Sequence, residues 1–531
     1  MLNRRSVLKG ALVAPAVLLA SQLNSARASE PGNLGVASGE PRPNSVVIWT
    51  RVPESYQSSS VSVTYQLSTD ESFTTIVTTG QFITDASLDF TVKVTVNALS
   101  PFTRYYYRFS TTTGYQSVIG RTLTAPAANS TPRQLTFAYV SCQDYTQGFY
   151  TTYAALAQDD IDYCVMLGDN MYETGAANFQ NGQVRLDPIA NATTLDEYRS
   201  KYKLYMSDLN YQEVRRLFPW VYIWDDHEVF NNYAGAELSA SERERQANGY
   251  TAFLEFMPVT PVTPLTTVDG VSSVELYRKI SFGTLIDLFV LDERQYRDGV
   301  VCSRDFAVTA CEELFDPTRT MLGSDQKDWI KSQLGTSTAR WKVLLNEVMM
   351  MRFEAINLDP AARAKKLPPK NFSNSALTDQ GLYINLDAWD GYPSERSDLL
   401  AYIGDNQIKN VVVWTGDIHN CYAGGLRPDF SDVSSPAVAV EVVGGSVSSA
   451  GLYELLGNVD VTRLGTRVLQ KANPHIEYVE LRYHVYTKAV VTPRGMFLSY
   501  EAVDTIVAET STNFTLARFV IPNDQAKLVQ L

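Results

Sequence analysis

The feature that most restricts what this chain can fold into is a change of pattern at Pro132. Beyond it, apolar runs at residues 135–140, 161–167, 220–224, 285–291, 341–345 and 411–414 alternate with stretches of helical periodicity at 149–157, 194–206, 247–257 and 325–333. Short apolar strands separated by helices indicate an α/β domain. Before Pro132 the pattern is different. Val61, Val63, Tyr65 and Leu67 alternate, as do Val92, Val94 and Val96, and Tyr105, Tyr107 and Phe109. Residues 31–126 therefore read as a β-sandwich module of the immunoglobulin or fibronectin type. Residues 127–132, small and proline-bearing, read as a linker, and residues 133–531 as the larger, α/β domain.

Four of the apolar runs end in polar groups. The first gives Ser141-Cys142-Gln143-Asp144, and the second Gly168-Asp169-Asn170-Met171-Tyr172-Glu173. The third gives Asp225-Asp226-His227-Glu228 followed by Asn231-Asn232, and the last Gly416-Asp417-Ile418-His419-Asn420. In open α/β sheets, ligands bind outside the carboxyl ends of strands, so acids, phenol, thiol and imidazole at four such ends point to one shared site. After Gly168 the chain can turn at once, Asp169 can bridge two cations, and the Tyr172 phenol can reach one of them. If 417–419 is extended, Asp417 and His419 point the same way and can meet one centre. Two bridged cations would clamp a phosphate and activate water. Each fragment alone has a plainer reading. Gly-Asp at a strand end is a common turn or cap, Cys142 a small buried hydrophobe, and 225–228 equally a solvated turn or a pH-sensing cluster. Their joint occurrence in this order is what points to chemistry.

Histidine supply narrows the metal. The chain has 4 His against 30 Tyr, and His475 and His484 lie outside the motifs and read as structural. A centre here must lean on oxygen donors, which suit hard cations. The formal net charge of −13 argues against a nucleic-acid partner.

Residues 1–28 read as a targeting segment. Arg4-Arg5 is followed by a short apolar stretch and by Ala26-Arg27-Ala28, a small-residue cleavage site. The stretch is too short to span a bilayer and contains Pro15, so it is not a membrane anchor. It resembles a twin-arginine (Tat) signal, with Val7 where phenylalanine is usual. The expected location is periplasmic or secreted, with the Tat machinery as export partner. Of the 5 Cys, Cys302 and Cys311 are the expected disulfide and Cys164 an inert buried thiol.

With these motifs in hand, the chain resembles the alkaline phosphatase D (PhoD-like) family of metallophosphoesterases over nearly all of its mature length. The likeness rests on 35–41 and 47–51, Gly168-Asp169 to Glu173, Asp225 to Asn232, 291–297, Asp387 to Tyr392 and Gly416 to His419. It implies a calcineurin-like α/β catalytic domain and hydrolysis of phosphate esters. By that analogy Cys142, Asp169, Tyr172 and His419 hold Fe3+. Asp169, Asp226 and Asp417 hold Ca2+, with Asp225 the alternative to Asp226. His227 lies near the leaving group, to serve as its acid or to orient it, and Asn248 and Asn231 contact substrate. No arginine clamp for a dianionic monoester is identifiable in the sequence; Arg294 and Arg297 are no more than candidates. Competing readings are a phosphodiesterase or phospholipase D, a non-catalytic binding protein with a degenerate domain, and an oxidase using the iron.

Overall fold

Strands that are apolar on both faces must be covered on both sides, and the chain meets this demand with two large sheets packed face to face. The computed structural model describes residues 32–175, 183–303, 308–356, 382–432, 434–457 and 462–531; the expected export signal at 1–28 lies outside them.

The first sheet has 10 strands. Its centre is the parallel set Leu135–Val140, Tyr163–Leu167 and Pro219–Ile223. An antiparallel run, His484–Val491, Gly495–Val503, Asn513–Pro522 and Val529–Gln530, extends it on one side. The second sheet has 7 strands, with Ile286–Val290, Trp341–Asn346, Val411–Thr415 and Ala439–Val443 parallel at its centre. Aromatic rings lock the two together: Tyr139 stacks on Trp414 at 4.9 Å and Phe137 meets Phe282 edge-on at 5.2 Å. Tyr139 Oη also donates to the Val442 carbonyl across the gap. On the outer face of the first sheet, Trp224 stacks on Tyr250 of the helix Ala240–Phe256 at 4.1 Å. The outer face of the second buries Ile330, Leu334, Leu399 and Leu400 from the helices Gly323–Thr336 and Pro393–Asp405.

The N-terminal segment does form two facing β-layers around Val63, Leu67, Tyr107 and Phe109. One layer is a separate sheet of 4 strands. The other, Val36–Arg42, Ser45–Arg51 and Thr91–Val96, continues the 10-stranded sheet, because Val36–Arg42 pairs in parallel with Pro219–Ile223. Gly39 permits that seam: a Cβ there would stand 2.4 Å from the Pro258 carbonyl oxygen. The second layer of the module is thus hydrogen-bonded into the 10-stranded sheet. Cys302 and Cys311 are joined, with Cα atoms 5.4 Å apart, and Cys164 is a buried free thiol.

Candidate active site

The polar strand ends converge. Cys142, Asp169 and His419 offer ligand atoms that all lie within 4.8 Å of one another, and so do Asp169, Asp226 and His227, and Asp225, Asp226 and Asp417. Asp169 and Asp226 each belong to two of the groups, so the three form one continuous cluster. Tyr172 joins it, its Oη donating to Asp169 Oδ2 at 2.8 Å and lying 3.1 Å from His419 Nε2.

The backbone is bent to bring these groups together. Cys142, Asp169, Asp417 and His419 all have positive φ, between 55° and 64°. For residues with a Cβ this region is unfavourable, and its recurrence at four neighbouring chemical groups is strain kept where function needs it. Gly168, at φ +91°, makes the first turn possible; a Cβ would lie 2.3 Å from that of Asp225. The 417–419 segment is therefore not extended, as alternation had suggested. Left-handed turns on either side of Ile418 send Asp417 to the Asp225–Asp226 group and His419 to the Cys142–Asp169 group.

Glu228 holds two of these turns in place. Its carboxylate accepts the backbone N–H groups of Asp169, Asn170 and Asp225 and the Asn170 side-chain amide. A second brace is the loop 446–451. Ser449 Oγ donates to Tyr172 Oη at 2.8 Å, and His419 Nδ1 lies 2.8 Å from the Ala450 carbonyl. A carbonyl can only accept, so Nδ1 carries the proton and Nε2 presents its lone pair to the cluster. Burial pushes His419 down to about 4, which keeps the ring neutral. The loop is itself held by His484, whose Nδ1 lies 2.9 Å from Ser446 Oγ and whose Nε2 lies 3.3 Å from Glu454. Ser446, fully buried, donates its hydroxyl to the Ser449 carbonyl. This serine–histidine–glutamate row is a strut, not a nucleophile.

Charge within the cluster is unbalanced. Arg294, with no exposed surface, pairs with Asp225 through Nε, with Asp387 at 2.6 Å, with Asp417 at 3.4 Å and with Asp226 at 3.7 Å. Arg297 is equally buried and spends its guanidinium on Asp387 and on the Asp387 and Tyr233 carbonyls. Neither arginine is free to clamp a substrate; both are built-in countercharge. Burial drives Asp169 and Asp225 well above the carboxylate range and lifts Asp417 to about 7 against the pull of Arg294. Burial and the Asp169 charge likewise push the Cys142 thiol and the Tyr172 phenol up. Asp226 goes the other way: burial raises it, but Arg294 and His227 together hold it low.

Asp169 Oδ1, Asp225 Oδ2 and Asp226 Oδ1 are buried with no hydrogen-bond partner. Orphaned carboxylate oxygens facing one another at this depth are costly unless a cation sits among them. The donor set of thiol, phenol, imidazole and carboxylates fits such a cation, which would displace the thiol and phenol protons.

His227 stands at the edge of the cluster and keeps some exposure. Its ring lies 4.1 Å from that of Tyr172, and Nδ1 is 2.7 Å from Glu173 Oε2. Burial lowers its basicity, but Asp226, Glu173 and Asp169 outweigh it and hold the imidazole protonated. Asn231 enters through its backbone, donating N–H to Glu173 Oε1 at 3.0 Å, while Asn232 N–H goes to Asp226. Asn248 gives its amide to the Thr193 carbonyl at 3.0 Å. Sequence reasoning assigned no role to Glu173, Glu228 or the 446–451 loop. The run of small residues from Gly444 to Gly451 directly after an apolar stretch was a usable signal for the last.

Comparison with known proteins agrees with this geometry. A family profile described as PhoD-like phosphatase matches residues 137–500, and one described as PhoD-like phosphatase, N-terminal domain, matches residues 18–126. Alkaline phosphatase D of Bacillus subtilis (strain 168) is 35% identical over 515 residues, covering 94% of this chain and 82% of its own. A solved structure described as that of PhoD superposes with a TM-score of 0.83 at 33% identity, covering 94% of this chain and 92% of that one.

Proposed function

The chain belongs to the PhoD-like phosphatase family, and from that premise we infer that it hydrolyses phosphate esters at the carboxylate cluster described above. The observation that carries this reading is the set of three orphaned, buried carboxylate oxygens on Asp169, Asp225 and Asp226. Cys142, Asp169, Tyr172 and His419 would hold a ferric ion, and Asp169, Asp226 and Asp417 a calcium ion. Asp226 is preferred to Asp225 because Asp225 is already paired through Arg294 Nε. Bound there, the cations would neutralise phosphoryl charge and lower the pKa of an attacking water.

The chain's own groups do the rest. Glu228 fixes the two turns that carry Asp169 and Asp225, so the donors need not reorganise on binding. Ser449 and the Ala450 carbonyl orient Tyr172 and His419. His227, kept protonated by Glu173 and its neighbours, is placed to donate a proton to the departing alkoxide, a task that suits an imidazolium in this position. Asn231, beside the same glutamate, lies within the region we assign to substrate; Asn248 belongs there by analogy alone. The paired sheets flanked by helices support a calcineurin-like core for residues 133–531, with 31–126 as the N-terminal module joined by 127–132. Residues 1–28 fit export by a twin-arginine signal to the periplasm or medium. No helix among the described residues is long and apolar enough to cross a membrane.

Phosphodiesters, including phospholipids, are a second substrate class, and one observation favours them. A dianionic monoester calls for a free guanidinium, whereas Arg294 and Arg297 are fully buried and committed. Hydrolysis of a matched aryl phosphate monoester and diester, with calcium and after chelation, tests both points. Chelation should abolish turnover and the diester should be the better substrate; chelator-insensitive turnover would remove the metal site from the account.

A further inference from the structure

The parallel strands have a second pole. At their amino ends, Arg340, Lys342, Lys409, Thr338, Leu285 and Asp524 contribute to the wall of a cavity of about 380 Å³. Ile286–Val290 and Val411–Thr415 are each 5 residues long, so at about 3.3 Å per residue this cavity lies on the order of 16 Å of strand away from the carboxyl ends where the cluster sits. It is built from well-separated parts of the chain: the linker, a hairpin turn, two strand entries and the turns of the C-terminal strands.

Its charge is the reverse of the chain's. On a protein of net charge −13, three cations converge here, and among the described residues none of them forms an ion pair. Lys342 is 8% exposed and donates to the Ala339 carbonyl at 2.8 Å. Among the described residues the Arg340 guanidinium makes only a 3.3 Å bond, to Asn523 Oδ1. The one carboxylate in the wall is already turned to amides, Asp524 Oδ1 accepting from Asn410 and Oδ2 from Asn523. Burial pushes the Lys342 ammonium down more than the attraction of Asp287 and Asp524 lifts it, and Arg340 adds a smaller repulsion. A buried lysine beside an arginine, with both oxygens of the nearest wall carboxylate taken up by asparagine amides, is an arrangement that an anion completes.

We propose that this cavity is a non-catalytic binding site for a phosphate oxyanion. The Arg340 fork supplies bidentate geometry, Lys342 and Lys409 supply point charge, and Thr338 a hydroxyl. The volume lies in the range of small-molecule sites, and Leu285, Ala339 and Pro493 give an apolar side to the wall. The oxyanion can therefore be free phosphate or the phosphoryl end of a small organic molecule.

The test is calorimetric titration of inorganic phosphate, and separately of phenylphosphonate, into full-length metal-loaded protein and into an Arg340→Ser/Lys409→Ser double variant. Both side chains are exposed, so the variant should fold, and its turnover of an aryl ester should match wild type. Wild type should show two classes of site, and the variant should lose one, with affinity there falling about tenfold or more. Tighter binding of the phosphonate in that class identifies an organic phosphate as the occupant; equal binding identifies free phosphate. A single class in wild type, or two unchanged classes in the variant, would overturn the proposal.

Discussion

The acids at the carboxyl ends of Tyr163–Leu167, Pro219–Ile223 and Val411–Thr415 can be set beside those that pack around residues 349–353. Both groups are buried carboxylates in one core. Around 349–353, Glu441 accepts the Met350 and Met351 N–H groups and the Thr415 hydroxyl at 2.6–2.7 Å. Asp390 accepts Phe353 N–H and pairs with Arg396, both at 2.7 Å. At the strand ends, Asp169, Asp225 and Asp226 each keep an oxygen with no hydrogen-bond partner, on turns that include left-handed residues. Fully satisfied acids fix the fold; under-satisfied ones on strained backbone are held ready for something the chain does not itself supply. Burial alone does not separate the two.

The comparison predicts opposite consequences for loss of a carboxylate. Asp169→Asn should reduce kcat by on the order of 10³-fold or more, yet its melting temperature should equal or exceed that of metal-stripped wild type, since a cost is relieved. Steady-state kinetics and calorimetry on one preparation check this, and a variant that is both active and destabilised would erase the distinction. Asp390→Ala should do the reverse. It leaves Arg396 buried without its partner and should lose about 3–5 kcal/mol of stability, read from denaturant unfolding, while the folded fraction turns over normally.

His227→Asn should lower kcat on the order of 10²-fold, with a larger loss for alkyl esters, whose alkoxides need a proton, than for aryl esters; equal losses on both would remove its role as acid. Ser449→Ala, which removes the hydroxyl's bonds to Tyr172 and the Asp144 N–H, should cost about 10-fold in activity or metal affinity. Glu441→Gln turns an amide N–H toward a backbone donor and should cost about 1–3 kcal/mol, with no change in metal content. If Ser449→Ala and Glu441→Gln behaved alike, the boundary between the two groups would be drawn in the wrong place.

Much of this was legible in the sequence. Residues 135–140, apolar but for Thr136, and 411–414, apolar throughout, fall on strands, and Cys142, Asp169, Tyr172, Asp225, Asp226, Asp417 and His419 are brought together as their strand-end positions suggested. Other elements were hidden for identifiable reasons. The helix Ala240–Phe256 begins seven residues before the apolar signal at 247, because its first turns are polar; the cue was the capping box of Ser239 and Glu242. The shared sheet of the N-terminal module depends on pairing between residues 36–42 and 219–223, a long-range choice that local alternation cannot encode. Alternation put Asp417 and His419 on one centre, but they go to different groups, and the left-handed turns that aim them leave no mark in residue type.

The most direct test of the whole account is elemental analysis of purified wild-type protein and of Asp169→Asn, paired with turnover of an aryl phosphodiester. The expected result is bound metal in wild type, iron and calcium by our assignment, and its loss together with turnover in a variant whose melting temperature matches that of metal-stripped wild type. Full turnover by a wild-type protein stripped of metal would contradict it.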